Sequence, residues 1–201
     1  METGKTILWI LIILIIVGGG YLFLRTPAAP LAPVAQEEKK MPSEPIKLGY
    51  IGPLTGELAD GGEAGLAGAT LAVKEINDAG GVLGRQLELV AEDDKCSAEG
   101  VNAMNKLVNI DKVVAITGPD CSASGGPALP IAQKAGVPVV VRWASAPHLT
   151  KIGDYIFRVY PSDAFQGKFI AEFLYNDLGK KKAAVVYVKN DWGQGIHDVF
   201  T

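Results

Sequence analysis

Val113 to Ser145 reads VVAITGPDCSASGGPALPIAQKAGVPVVVRWAS, and the punctuation of this stretch decides the fold. Val113-Val114-Ala115-Ile116 is an apolar run too short for a helix, and Gly118-Pro119-Asp120 ends it with turn chemistry. A small-residue loop, Cys121-Ser122-Ala123-Ser124-Gly125-Gly126, opens a helix predicted from about Pro127 to Ala135, which Gly136 stops. Val137-Pro138-Val139-Val140-Val141 is a second strand, running out into the small polar loop Ala144-Ser145-Ala146-Pro147. Strand, helix and strand in that order make a parallel pair, so two hydroxyl-bearing loops reach the same edge of one sheet. In open α/β sheets the crevice beyond the carboxyl ends of the strands is where ligands sit.

Both loops offer backbone N–H groups near a helix start, together with the Ser122 and Ser145 hydroxyls. Such a surface suits a small carboxylate, which helix N-termini hold without a charged side chain. Helix capping alone would also account for both serines. Neither loop places a lysine, aspartate or histidine where a base would reach them; Asp120 and His148 flank the loops without forming a Ser-His-Asp order. No catalytic residue is therefore assigned.

With 201 residues, 48% of them apolar and 20% charged, the chain has room for one good domain and part of another. A formal charge of -3 and the lack of any basic run with interleaved aromatics argue against nucleic acid as a partner. Its two cysteines fit either free thiols in a cytosolic protein or one bridge in an exported one.

Ile7 to Leu24, ILWILIILIIVGGGYLFL, is an uncharged run of 18 residues between Lys5 and Arg25. That length is long for a signal-peptide core and just enough to cross a bilayer, so residues 1–25 are read first as a membrane anchor and second as a cleaved signal. No cysteine follows it, which excludes a lipoprotein anchor. Flanking charge does not set its orientation, because Lys5 lies on one side and Arg25, Lys39 and Lys40 on the other. Residues 26–45 hold five prolines and nothing periodic, and are expected to be a stiff, solvated spacer or plain disorder.

From there strands and helices alternate. Ile46 to Ile51 is a strand, stopped by Gly52-Pro53, and a helix is predicted from about Glu63 to Ala79, with Leu66, Ala69, Leu71, Ala72, Val73 and Ile76 as its apolar face. Gly61, Gly65 and Gly68 at its start lack the spacing of a dinucleotide fingerprint and are read as a close helix-to-sheet contact, so no cofactor is expected. Gln86 to Ala91 is the second strand. The acids Glu92-Asp93-Asp94 beyond it have no glycine-centred calcium loop around them and are read as a solvated loop, with no metal. A helix through Val101 to Val108 leads back to the opening stretch. Cys96 and Cys121 each follow a strand, in neighbouring loops at one sheet edge, a placement that allows a bridge in an exported domain and leaves both reduced in the cytosol. After a strand at Tyr155 to Val159, Tyr160-Pro161-Ser162-Asp163 marks the crossing into a new unit. That unit comprises a helix from Ala164 to Leu178, a buried strand at Ala183 to Val188, the loop Asn190 to Gly195, and a helix barely begun at Thr201.

Taken together, IKLGYIGPLTGELADGG, GATLAVKEINDAGGVLGRQLELVAEDDKC, GPDCSASGG, ASAPHLT, FRVYPSDAFQG and VVYVKNDWGQG resemble, in order, the type I periplasmic-binding-protein family, and within it the leucine/isoleucine/valine-binding subgroup of ABC importers. The resemblance runs from Ile46 to the end of the sequence. It implies two α/β lobes joined by hinge strands, with an amino acid in the cleft between them. The first lobe, residues 46–158, would be a three-layer parallel sheet, and residues 159–201 the start of a similar second lobe. It also implies a location outside the cytoplasm, a membrane permease as partner, no cofactor and no catalysis.

Position by position, the resemblance makes Ser122 the hydroxyl that binds the ligand α-carboxylate. Ala144 and Ser145 fall in the segment whose backbone and hydroxyl hold the α-carboxylate and α-ammonium. Cys96 and Cys121 fall on the family's first-lobe disulfide, and Trp192 on an aromatic placed over the ligand. Two positions depart: Gly61 stands where the amino-acid binders have a tyrosine, and Trp143 replaces a smaller residue beside the pocket. The globular part is little more than half a family member's length, so the sequence is read as a truncated chain, with a well-formed first lobe and an apolar strand in the second left without partners. Weak calorimetric binding of branched-chain amino acids, or none, is the expected consequence; nanomolar binding would contradict the truncation. Ligand sensing by a receptor ectodomain or amide regulator of the same fold is the competing function. An α/β enzyme is disfavoured, since no nucleophile–base pair, metal set or phosphate loop is visible.

Overall fold

The computed structural model describes residues 44–201. The expected anchor at residues 1–25 and nearly all of the spacer at 26–45 lie outside the described residues. No helix among the described residues is long and apolar enough to cross a membrane.

Five strands form one all-parallel sheet: β1 (Ile46–Gly52), β2 (Leu87–Asp93), β3 (Ala115–Thr117), β4 (Val139–Val141) and β5 (Ile156–Arg158), in the spatial order β2-β1-β3-β4-β5. Leu48 pairs with Leu89 on one side and Ala115 on the other, Ile116 with Val139, and Val140 with Phe157. The helices between them are α1 (Ala59–Asp78), α2 (Gly100–Asn105, extended by a wide turn over Lys106–Ile110) and α3 (Ser122–Ala135). From β1 the chain steps one way to β2, then back across β1 to β3 and onward to β4. Right-handed crossovers therefore put α1 on one face of the sheet and α2 and α3 on the other, giving three layers.

The α2/α3 face holds the core. Met104 and Leu107 from the α2 segment, Ala128, Leu129 and Ala132 from α3, and Ile51, Ile116, Val139 and Val141 from the sheet form one buried cluster, closed at the end by Leu149. The α1 face is thinner. Leu66, Ala69 and Val73 are half-buried, but Leu71, Ala72 and Ile76 are exposed, and so are Val114, Val140 and Phe157 on the sheet. The apolar face expected for α1 is thus right for three of its six residues. Among the described residues nothing covers the sheet on that side beyond β1, so the outer half of the stripe has no surface to bury against.

Several boundaries move, with physical causes. α3 begins at Ser122, five residues ahead of the predicted start, so that Pro127 and Pro130 lie inside it. Proline favours a first turn, which is why the sequence places the start at Pro127, but the chain tolerates both rings within the helix. α1 likewise begins at Ala59 inside the predicted loop. Gly118 makes the close passage of β3 beside β1 possible: its φ is +106°, and a Cβ there would lie 1.9 Å from the Ile51 carbonyl oxygen.

Beyond β5, α4 (Asp163–Glu172, extended by a wide turn over Phe173–Asp177) and α5 (Asp191–Phe200) pack on one another. Ser162 caps α4 by accepting from the Ala164 N–H, and Asn190 caps α5 by accepting from the Gly193 N–H. Two expectations are corrected here. Ala183–Val188 is neither a strand nor buried, with Val186 99% exposed, since no neighbouring strand among the described residues offers it a ladder. Asp191–Gly195 is the opening of the ten-residue helix α5 and not a loop, because the Asn190 side chain supplies an N-cap that the glycines hide.

Candidate functional site

Because every strand runs the same way, the carboxyl ends of β1, β2, β3 and β4 open on one edge. There Leu58, Asp120, Ser122, Trp143, Ala144, Ser145, Tyr160, Asp163, Gln166, Asn190 and Trp192 surround a cavity of about 430 Å³, with the Cys96–Cys121 pair in its wall. Ser122, Ala144, Ser145 and Trp192 thus line one hollow, the first three beyond the ends of the neighbouring strands β3 and β4 and the last at the start of α5.

Ser122 is the first residue of α3, where the helix N–H groups have no carbonyl within the helix to bond. Its Oγ accepts from the Ala146 N–H at 3.1 Å, tying the two crests together. A hydroxyl that accepts there still has its own proton to give. Ser145 is arranged in the opposite sense. Its Oγ donates to Asp163 Oδ2 at 2.8 Å, while its carbonyl accepts from the Asp163 N–H at 3.0 Å, so its hydroxyl keeps an accepting lone pair. Burial raises the Asp163 carboxyl above its ordinary value, against the lowering effects of the Ser145 hydroxyl and the Arg158 guanidinium. Arg158 in turn donates to the Ala146 carbonyl at 2.9 Å, closing the loop around Ser145.

A second buried set stiffens the other side of the crevice. The Asp120 side chain, fully buried, receives Arg142 Nε at 2.8 Å and is also bonded by Arg142 Nη2, which reaches the Gly61 carbonyl at 3.1 Å. Tyr50 donates to the Gly62 carbonyl at 2.6 Å and lies 3.1 Å from Asp120 Oδ2. Burial, with the Asp120 carboxylate beside it, holds the Tyr50 phenol far above the ordinary tyrosine range, so it stays a donor. Asp120 is therefore spent on structure and is no base for Ser122.

The Cys96–Cys121 disulfide joins the loop after β2 to the N-cap of α3, with Cα atoms 5.2 Å apart. Beside it Asp94, fully buried, accepts from Ser124 Oγ at 2.7 Å and from the Cys96 N–H at 2.8 Å. Burial raises the Asp94 carboxyl in spite of those two bonds. Asp93 accepts from the Leu54 N–H at 2.9 Å and from the Thr55 hydroxyl at 2.5 Å. Asp93 and Asp94 thus fasten loops and the start of α3, and Glu92, still in β2, pairs with Lys106, in place of the solvated loop expected there. No group of three or more metal-ligating side chains occurs among the described residues.

Asp163 and the Arg142–Asp120–Tyr50 set are the functional neighbours that sequence reasoning missed. A buried-face aspartate directly after an N-cap serine is the only local signal for the first. The second links residues 70 apart in sequence, and nothing local announces it.

Comparison with known proteins places these features in a family. The family described as "Periplasmic binding protein" matches residues 45–201. The leucine-, isoleucine-, valine-, threonine-, and alanine-binding protein of Pseudomonas aeruginosa is 39% identical over 158 residues, covering 78% of this chain and 42% of that protein. Among solved structures, the branched-chain amino acid transporter substrate binding protein LivJ of Streptococcus pneumoniae, in complex with isoleucine, superposes with a TM-score of 0.69 at 39% identity, over 78% of this chain and 46% of that one. A solute binding protein of an ABC transporter from Rhodopseudomonas palustris, in complex with 3,4-dihydroxy benzoic acid, gives a TM-score of 0.68 at 27% identity, over 77% of this chain and 42% of that one. The chain spans less than half the length of the curated relatives it matches. A parallel sheet with a hollow at its strand ends, a bridge pinning the first crest, and a family match from residue 45 onward agree: the chain belongs to the type I periplasmic-binding-protein family.

Proposed function

We propose that this chain supplies the ligand-gripping lobe of an extracytoplasmic solute receptor that delivers a branched-chain or related amino acid to ABC permease subunits. Ser122 and the first-turn N–H groups of α3 hold the α-carboxylate; the Ala144 backbone and the Ser145 hydroxyl hold the α-carboxylate and α-ammonium; Trp192 lies over the side chain. Residues 159–201 begin the second lobe, and the apolar run at Ile7–Leu24 anchors the protein to the membrane.

The opposite polarity of the two hydroxyls supports this reading most. Ser122 accepts from Ala146 and is left with a proton to donate, as a carboxylate requires; Ser145 donates to Asp163 and is left with a lone pair, as an ammonium requires. A carboxylate is also what isoleucine and 3,4-dihydroxy benzoic acid share, the ligands of two structural neighbours with this fold.

The test uses the full chain, kept in mild detergent for its apolar N-terminal run, and compares L-leucine with 4-methylpentanoate, which has the carboxylate but no ammonium. Ser122→Ala is expected to weaken both ligands by roughly tenfold or more, the worth of a hydrogen bond to a charged group. Ser145→Ala weakens leucine and spares 4-methylpentanoate. Equal losses for both ligands in Ser145→Ala, or none in Ser122→Ala, would overturn the assignment.

A further inference from the structure

Trp143 and Gly61 fit each other. Trp143 follows β4 directly after Arg142, whose side chain is fixed by Asp120 and by the Gly61 carbonyl. The indole reaches α1 at Gly61, where an added Cβ would lie 3.0 Å from Cζ3 and 3.7 Å from Cη2, both on its six-membered ring. Any side chain at position 61 would press on that ring edge, so the glycine makes the place the tryptophan occupies. Yet Trp143 is not core: it is 41% exposed and lines the same cavity as Ser122 and Ser145. A large ring wedged at one edge and otherwise open to a cavity is a wall for whatever enters. Tyr160 and Trp192, each 45% exposed, add two more aromatic surfaces to that cavity, with Leu58 as an aliphatic one.

We propose that Trp143, seated on Gly61, is the residue that selects the ligand's side chain, and that it selects carboxylates bearing a flat aromatic group over aliphatic ones of similar size. This rests on the reading that the serine crests hold the ligand's head. Indole faces and edges favour another π system in offset or edge-to-face contact beyond the area buried, a preference worth about fivefold in affinity per ring pair. With three aromatic side chains around the hollow, a planar ligand group meets such partners where a branched aliphatic one gains burial alone.

The experiment measures L-phenylalanine against L-leucine on the full chain. The two share one head, so their affinity ratio isolates the side chain. Phenylalanine is expected to bind about fivefold tighter or more. Trp143→Ala lowers the ratio about fivefold, Trp143→Phe keeps most of it, and Gly61→Ala, which pushes on the indole, lowers it without touching either serine. Circular dichroism verifies that each variant is folded, which the exposure of Trp143 favours. Leucine binding as tightly as phenylalanine, or a ratio unmoved in Trp143→Ala, overturns the inference and leaves the serine grip standing. Failure of both amino acids to shift any crest amide, even at concentrations that fill the weak site expected of a single complete lobe, overturns the grip and the inference together.

Discussion

Reducing the Cys96–Cys121 bridge, or replacing both cysteines by serine, should cost the domain about 3 kcal/mol of stability. The bridge closes a loop with a sequence separation of 25, and most of its effect is to deny the unfolded chain the conformations in which those residues lie apart. For a domain of this size that loss lowers the melting temperature by about 10 °C. It has a structural echo as well. Cys121 is the N-cap of α3 and Ser122 its first residue, so the bridge fixes the backbone from which the Ser122 hydroxyl projects. Denaturant titrations with and without reductant measure the effect. Coincident midpoints would show that the bridge constrains nothing.

Arg142→Ala is expected to destabilise by about 3 kcal/mol, the lower end of the range for breaking a buried pair, because the arginine side chain keeps one-third of its surface in water. What makes the change costly is Asp120. Its side chain is fully buried, and without the guanidinium the one side chain left bonded to it among the described residues is Tyr50, whose hydroxyl lies 3.1 Å away. Adding Asp120→Asn removes the stranded charge, so the double variant should be more stable than Arg142→Ala alone. Urea-unfolding free energies of the single and double variants at neutral pH make the comparison. Additive losses would mean that the two residues do not act as a pair. The same set links β1, β3, the β4 crest and the start of α1, so the loss should also loosen the wall that carries Trp143.

Much of this was legible in the residues. The alternation of short apolar runs with periodic stretches gives the parallel sheet, and Gly118, Gly136 and the crest serines sit where the punctuation places them. Ser122 and Ser145 could be assigned to one sheet edge because a βαβ unit has only one hand and one direction. The bridge followed from two cysteines behind neighbouring strands and from the family resemblance. What escaped the sequence depends on partners far away in it. The exposed Leu71 and Ile76 obey helical periodicity perfectly well, but periodicity says which residues share a face, not whether anything lies against that face. Ala183–Val188 has strand composition and, among the described residues, no ladder to join. The buried Asp120, Asp163 and Asp94 are acids that composition assigns to the surface; each meets a distant arginine or serine inside.

The central claim is that two serine crests with opposite hydrogen-bond polarity share one ligand head. Mapping backbone amide chemical shifts of the oxidised full chain during an L-leucine titration tests it most directly. Saturable shifts at Ser122, Ala123, Ala144 and Ser145, with one common dissociation constant and none at the Leu71 and Ile76 face of α1, are expected. Shifts that leave Ser122 and Ser145 unmoved, or that report different affinities at the two crests, would contradict it.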